Sequence, residues 1–272
     1  MSSSSAAILV TRVLPRIPGT RGSVGAVVQR DLMAARRNWI VPLSGFFEPL
    51  FYLLSLGIGL GSLIGKVPGP GGHLVGYREF VAPALLASSA MNGGIFESTN
   101  VFFKMKFGKI YDTMLSTPIE PIHIAIGEIS YALMRGVTYS IGFIGVMLGL
   151  GLIESPWAVL AVPATVLIGF GFGACGTAAA TYFRTWQDME WMTLAVLPMF
   201  LFSTTFYPLS TYDGWLQGVV RVTPLYQAIE LLRELTLGPV GMSAAGHALY
   251  FVVMGVIGLV LTQRRIRQML LH

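Results

Sequence analysis

Six predominantly apolar stretches, about 41–64, 80–103, 122–150, 157–183, 191–208 and 244–262, alternate with short polar intervals along the chain. A hydrocarbon core about 30 Å thick takes about 20 helical residues to cross, so the pattern predicts six membrane-spanning helices. Barrel strands would alternate over roughly 10 residues, which this sequence does not do. The expected fold class is an all-α membrane protein. The 122–150 run exceeds what a bilayer needs, so its first turns are expected to stand in the interface.

The polar intervals differ in kind. Met105 to Pro121 is long enough for its own helix: Phe107, Ile110, Tyr111, Met114 and Leu115 recur at three and four spacing, with Lys106, Lys109, Asp112, Thr113 and Ser116 mostly opposite. Pro118 and Pro121 end it. Residues 1–22 read as an uncleaved tail. In 23–39, Val24, Val27, Val28, Leu32 and Trp39 share a face while Arg30, Arg36 and Arg37 reach for headgroups, which predicts an in-plane interfacial helix. The Gly- and Pro-rich interval from Lys66 to Arg78 predicts a turn-prone connector. Residues 209–238 interleave Trp215, Tyr226 and Leu232 with Asp213, Arg221, Glu230 and Arg233, too polar to span and too apolar for a free loop. A re-entrant helical hairpin on the outer face is expected there.

Composition agrees with the pattern: 54% hydrophobic and 11% charged residues, with a mean hydropathy of +0.68, exceed what one soluble core of this size hides. The net charge of +5 raises nucleic acid as a partner, but the basic residues border apolar runs and sit in no nucleic-acid-binding motif, so no nucleic acid is expected. Six Lys or Arg precede the first run, three lie at 104–109, Arg184 stands alone and three lie at 264–267. On the opposite side are Lys66, Arg78, Arg221 and Arg233. This bias predicts a multi-pass cell-membrane protein with both termini, and the 105–121 segment, in the cytoplasm.

Candidate chemistry is sparse. Gly65 and Lys66 suggest a phosphate loop, yet position 60 is Leu and Val67 replaces the hydroxyl residue. Gly171, Gly173 and Gly176 match GxGxxG inside an apolar helix with no preceding strand, which predicts helix packing. Cys175 is the sole cysteine, and His73, His123, His247 and His272 are scattered, so no catalytic, cofactor-binding or metal constellation is expected. Glu48, Glu97, Glu128 and Arg135 lie within the apolar runs. Glu48 and Glu97 fall about 10 Å inside the cytoplasmic ends, and Glu128 and Arg135 share a helix face. Arg135 is expected to pair with Glu97, Glu128 or both, away from lipid, and Glu48 to stand on a possible pathway.

The runs FEPLFYLLSLGIGLG (47–61), FVAPALLASSAMNGGIFESTN (80–100), YDTMLSTPI (111–119), GEISYALMRG (127–136) and TFYPLSTYDGWLQGVVRVTPLYQAIELLREL (205–235) resemble the membrane subunits of type-2 ABC exporters, in the branch of nodulation protein J and the daunorubicin-resistance permeases. The resemblance covers most of 40–262. Thr223 departs from it, standing where Asn is common before Pro224 and Leu225.

It implies two permease subunits paired with two ATP-binding subunits. The 105–121 segment would be the coupling helix that seats in the ATPase through Phe107, Ile110, Tyr111, Asp112, Met114 and Leu115. ATP and magnesium would be held by the partner, so the chain is not itself an enzyme. A hydrophobic or amphiphilic drug, lipid or lipid-linked saccharide is the implied substrate. The competing reading is a proton-coupled secondary transporter using the intramembrane carboxylates, against which stands the lack of an internal repeat.

Overall fold

The computed structural model describes residues 20–37, 40–106, 113, 114, 116, 121–185 and 187–270. Helix α1 (Thr20–Arg37) is followed by α2 (Ile40–Ile64), a hairpin of β1 (Lys66–Pro68) and β2 (Leu74–Gly76), α3 (Tyr77–Lys106) and α4 (Pro121–Gly149). A short 3-10 turn, Pro156–Leu160, leads into α5 (Ala161–Ala180), then α6 (Glu190–Phe202), α7 (Gly214–Val222), α8 (Pro224–Leu237) and α9 (Met242–Leu270). Helix α1 thus covers Thr20–Arg37 where the pattern predicts 23–39, and most of the expected tail lies outside the described residues.

Helix α3 is the centre of the bundle. Its 30 residues make a rod about 45 Å long, and Val81, Ala82, Ala84, Leu85, Leu86, Ala87 and Met91 are all buried. A helix apolar on every side needs cover on every side, and α2, α4, α5 and α8 supply it. The closest approach is at Gly94, where an added Cβ would stand 2.4 Å from Gly169 O on α5. Only glycine lets the two backbones come this near, the small-residue mode of membrane helix packing. Ser98 Oγ donates to Gly173 O at 2.8 Å across the same seam, so the GxGxxG of α5 serves helix contact.

Four helices are long and apolar enough to cross a membrane, within Phe46–Ile64, Gly127–Gly149, Pro156–Ala180 and Met242–Arg264. The other two expected spans correspond to α3 and α6. Helix α3 has the length but carries Arg78, Glu79, Glu97, Lys104 and Lys106, of which Glu97 and Lys104 pair with groups on neighbouring helices. Helix α6 has only 13 residues, about 20 Å. The 191–208 run is helical only to Phe202, because the chain bends through 203–207 with Thr204 in the left-handed region at φ 62°.

Two further differences concern the loops. The connector predicted at 66–78 is a β-hairpin, whose two strands are the only ones among the described residues. It turns through Pro70–Gly72 and pairs Val67 with Val75, both buried. The 209–238 interval forms two helices joined at Thr223. Proline at the first position suits the start of α8. Helix α7 exposes Trp215, Val219 and Val222, whereas α8 buries Leu225, Ala228, Ile229 and Leu232 against α3 and α9.

Candidate functional site

Helix α1 turns Val27 and Asp31, four residues apart, onto one buried face. It lies on α4 at Gly127, where a Cβ would meet Val27 Cβ at 2.6 Å. This contact delivers Arg30 and Asp31 to Glu128, the next residue on α4. Arg30 Nη2 stands 2.6 Å from Glu128 Oε1 and 2.7 Å from Asp31 Oδ1, and Lys104 Nζ of α3 stands 2.6 Å from Glu128 Oε2 and 3.2 Å from Asp31 Oδ1. Two cations and two carboxylates from three helices form one closed, neutral cluster.

The cluster is buried except at its rim: the side chains of Asp31 and Glu128 are 5% and 6% exposed, Arg30 31%. Burial works against the Arg30 charge, yet its hydrogen bonds to Asp31 and Glu128 and their charges carry its pKa above the ordinary arginine value. Removing one of its buried carboxylates leaves uncompensated charge and costs about 3–5 kcal/mol, whereas the partly solvated Arg30 is worth far less.

The same guanidinium reaches the 105–121 segment. Arg30 Nη1 donates to Met114 Sδ at 2.8 Å, and Met114 is half-buried. Phe107, Ile110, Tyr111, Asp112 and Leu115, the other residues expected to couple, lie outside the described residues.

A second ion pair stands further along the bundle. Arg135 Nη2 lies 2.5 Å from Glu97 Oε1, joining α4 to α3, with the guanidinium 5.1 Å from the Phe96 ring centroid and 5.9 Å from that of Tyr139. Glu128 belongs to the Arg30 cluster instead: Arg135 sits seven residues on along α4 and reaches across to α3. Glu48 meets neither group. It is exposed on α2, with no hydrogen bond or ion pair among the described residues.

Arg233, one of the charges interleaved through the 209–238 interval, is buried at 2% exposed, which its sequence setting did not indicate. Its Nε donates to Phe80 O at 3.2 Å and its Nη2 to Thr204 O at 2.6 Å. Its Nη1 donates to Glu230 Oε1 at 3.0 Å and to Thr204 Oγ1 at 3.2 Å, and the guanidinium stacks 3.7 Å from the Phe80 centroid. It clamps α8 to the start of α3 and to the bend after α6. Nearby, Glu234 accepts from Ser243 Oγ at 2.9 Å and faces His247 at 3.8 Å. Thr223 Oγ1 donates to Val220 O at 2.6 Å and bonds Ser203 Oγ at 2.9 Å, closing the α7–α8 joint.

Among the described residues no group of three His, Cys, Asp or Glu is placed to hold a metal. Apart from Glu48, the charged groups just described bind helices to one another. The model of the family described as ABC-2 type transporter matches residues 22–237. The chain belongs to the ABC-2 type transporter family.

Its relatives agree along nearly the full length. Nodulation protein J of Rhizobium meliloti (strain 1021) is 28% identical over 248 residues, covering 89% of this chain and 93% of that one. Nodulation protein J of Rhizobium leguminosarum bv. trifolii is 29% identical over 257 residues, covering 92% and 96%. A probable doxorubicin resistance ABC transporter permease protein of Mycobacterium tuberculosis (strain CDC 1551 / Oshkosh) is 26% identical over 239 residues, 82% of each chain. This ABC-2 chain is therefore a multi-pass membrane permease of an ABC exporter, with bacterial relatives, and the family's membrane component is not the catalytic one.

Proposed function

We propose that this permease moves a hydrophobic or amphiphilic compound, a drug, a lipid or a lipid-linked saccharide, out of the cytoplasm or the inner leaflet. It works with a second permease subunit and with ATP-binding subunits that dock on the 105–121 segment. ATP and magnesium bind to those partner subunits and supply the energy. Six crossings, with α3 and α6 completing the count and both termini cytoplasmic in the cell membrane, are part of the same reading. The α7–α8 pair would then form the re-entrant hairpin at the outer end, which the burial of α8 and the apolar, exposed stripe of α7 support.

The observation that carries the proposal is the link from Met114 through Arg30 to Glu128, Asp31 and Lys104. A push on the 105–121 segment meets, within one guanidinium, the interfacial helix and the inner ends of α3 and α4. The ions are closely packed and their partners buried, so displacement of the segment is borne by these helices together rather than absorbed locally. The names of the relatives, one of them a doxorubicin resistance permease, support a small amphiphilic cargo.

The test is ATP-dependent uptake of a panel of fluorescent drugs and lipids into inverted vesicles holding the purified permease with its ATP-binding subunit. Accumulation of an amphiphile that requires both subunits is expected. ATP-independent accumulation driven by an imposed proton gradient would instead favour secondary transport.

A further inference from the structure

Glu48 is set apart from the other ionised side chains inside the bundle. Glu97 has Arg135, Glu128 has Lys104 and Arg30, Glu230 has Arg233, and Glu234 has Ser243 and His247. Glu48 lies eight residues into α2, about 12 Å along its axis. It is exposed, with no ion pair or hydrogen bond among the described residues. Glu48 also falls within the apolar stretch Phe46–Ile64, where a carboxylate against acyl chains is costly.

What surrounds it is aromatic. Phe51 and Tyr52 follow at i+3 and i+4 and so share its face. Phe47 and Phe51 stack with centroids 5.7 Å apart, and both are exposed. Tyr52 meets Phe200 of α6 at 6.3 Å, which extends the ring-lined surface from α2 to α6.

Among the described residues no Lys or Arg pairs with this carboxylate. Helix α2 holds no Lys or Arg, and the only charged residue of α6 is Glu190. A second copy whose two-fold axis runs through this face would bring another Glu48, a like charge. A ligand can supply the missing cation. Carboxylate and exposed ring faces together are the recognition chemistry of an ammonium group, which gains an ion pair and cation–π contacts at once.

We infer that Glu48, with Phe47, Phe51 and Tyr52, binds the ammonium group of a cationic amphiphile, so the cargo is an amine or quaternary ammonium with an apolar body. This rests on the exporter reading and names its substrate class. Neutralisation by the cargo lets the carboxylate sit in a low-dielectric surface, and cargo without a cation gains only the ring contacts.

The test is equilibrium binding to the purified permease in phosphatidylcholine nanodiscs, without ATP or an ATP-binding subunit. Two fluorescent probes share one aryl-alkyl body; one ends in trimethylammonium and the other in a hydroxyl. The wild-type protein should bind the ammonium probe at least about tenfold more tightly. Glu48→Gln should abolish that preference and leave the hydroxyl probe within about twofold, Glu48→Asp should keep most of it, and Phe51→Ala should weaken the ammonium probe in a carboxylate that is intact.

Equal binding of both probes by the wild-type protein overturns the inference, as does a preference that survives Glu48→Gln. So does disulfide formation between Ser55→Cys copies, seven residues on along the same face with Glu48 intact, that the ammonium probe does not slow, since a second copy would then cover the face. Wild-type protein that binds the ammonium probe with this preference but transports neither probe when ATP and the ATP-binding subunit are added would count against the exporter reading alone.

Discussion

Arg30 and Glu128, 98 residues apart in sequence, stand 2.6 Å from each other, and the other arm of the same guanidinium touches Met114 Sδ at 2.8 Å. One side chain of the first helix therefore joins the 105–121 segment to the start of α4, and through Glu128 to Lys104 at the end of α3.

Glu128→Ala should cost about 3–5 kcal/mol, because it strands Lys104 and Arg30 against a buried Asp31. Arg30→Ala should cost far less, about 1 kcal/mol, since that side chain is partly solvated. Thermal unfolding of the two variants in detergent checks the order. A larger loss for Arg30→Ala would contradict the assignment of Glu128 as the centre of the cluster.

The Glu97–Arg135 pair lends itself to a double-mutant cycle. Arg135→Met alone should destabilise by about 3–5 kcal/mol, and adding Glu97→Gln should recover most of that loss, since the pair contributes little against apolar replacements of similar size. Additive losses would mean that the two residues act separately.

Gly94→Val should force α3 and α5 apart, because even the first carbon would stand 2.4 Å from Gly169 O. Overpacking of this kind costs about 1–3 kcal/mol. The loss should appear in thermal unfolding, while Gly93→Ala on the neighbouring open position should be silent.

Arg233→Lys should be no conservative change. An ammonium cannot serve Phe80 O, Thr204 O, Thr204 Oγ1 and Glu230 in one plane, nor stack flat on Phe80. A loss of about 2 kcal/mol is expected, with faster proteolysis at the bend after α6 as the local readout.

The comparison with sequence turns on what is local. Apolar runs and their Pro and Gly boundaries are local, and they mark within a few residues where α2 and α4 lie and where α9 begins. The β-hairpin was not legible because strands of three residues are too short to alternate; the one signal was Val67 and Val75 flanking a Pro–Gly turn. The early end of α6 had a local sign as well, the polar Ser203, Thr204 and Thr205 within an apolar run. The Arg30 cluster had none. Arg30 reads as a headgroup anchor until α1 is known to pack on Gly127, and the adjacent Asp31 looks like surface until it is found buried. The burial of Arg233 had no local sign either, because semi-polar composition does not tell a surface helix from one buried through a guanidinium clamp.

The central claim is that the 105–121 segment seats an ATP-binding subunit, and the most direct measurement is retention of that subunit on the purified permease. The double variant Tyr111→Ser, Met114→Ser should retain it about thirtyfold more weakly than the wild-type protein, as loss of interface anchors worth ~2 kcal/mol implies. Met114 also meets Arg30, so Arg30→Met with both anchors kept should still retain the subunit while losing ATP-driven transport. Undiminished retention and transport in the double variant would contradict the account.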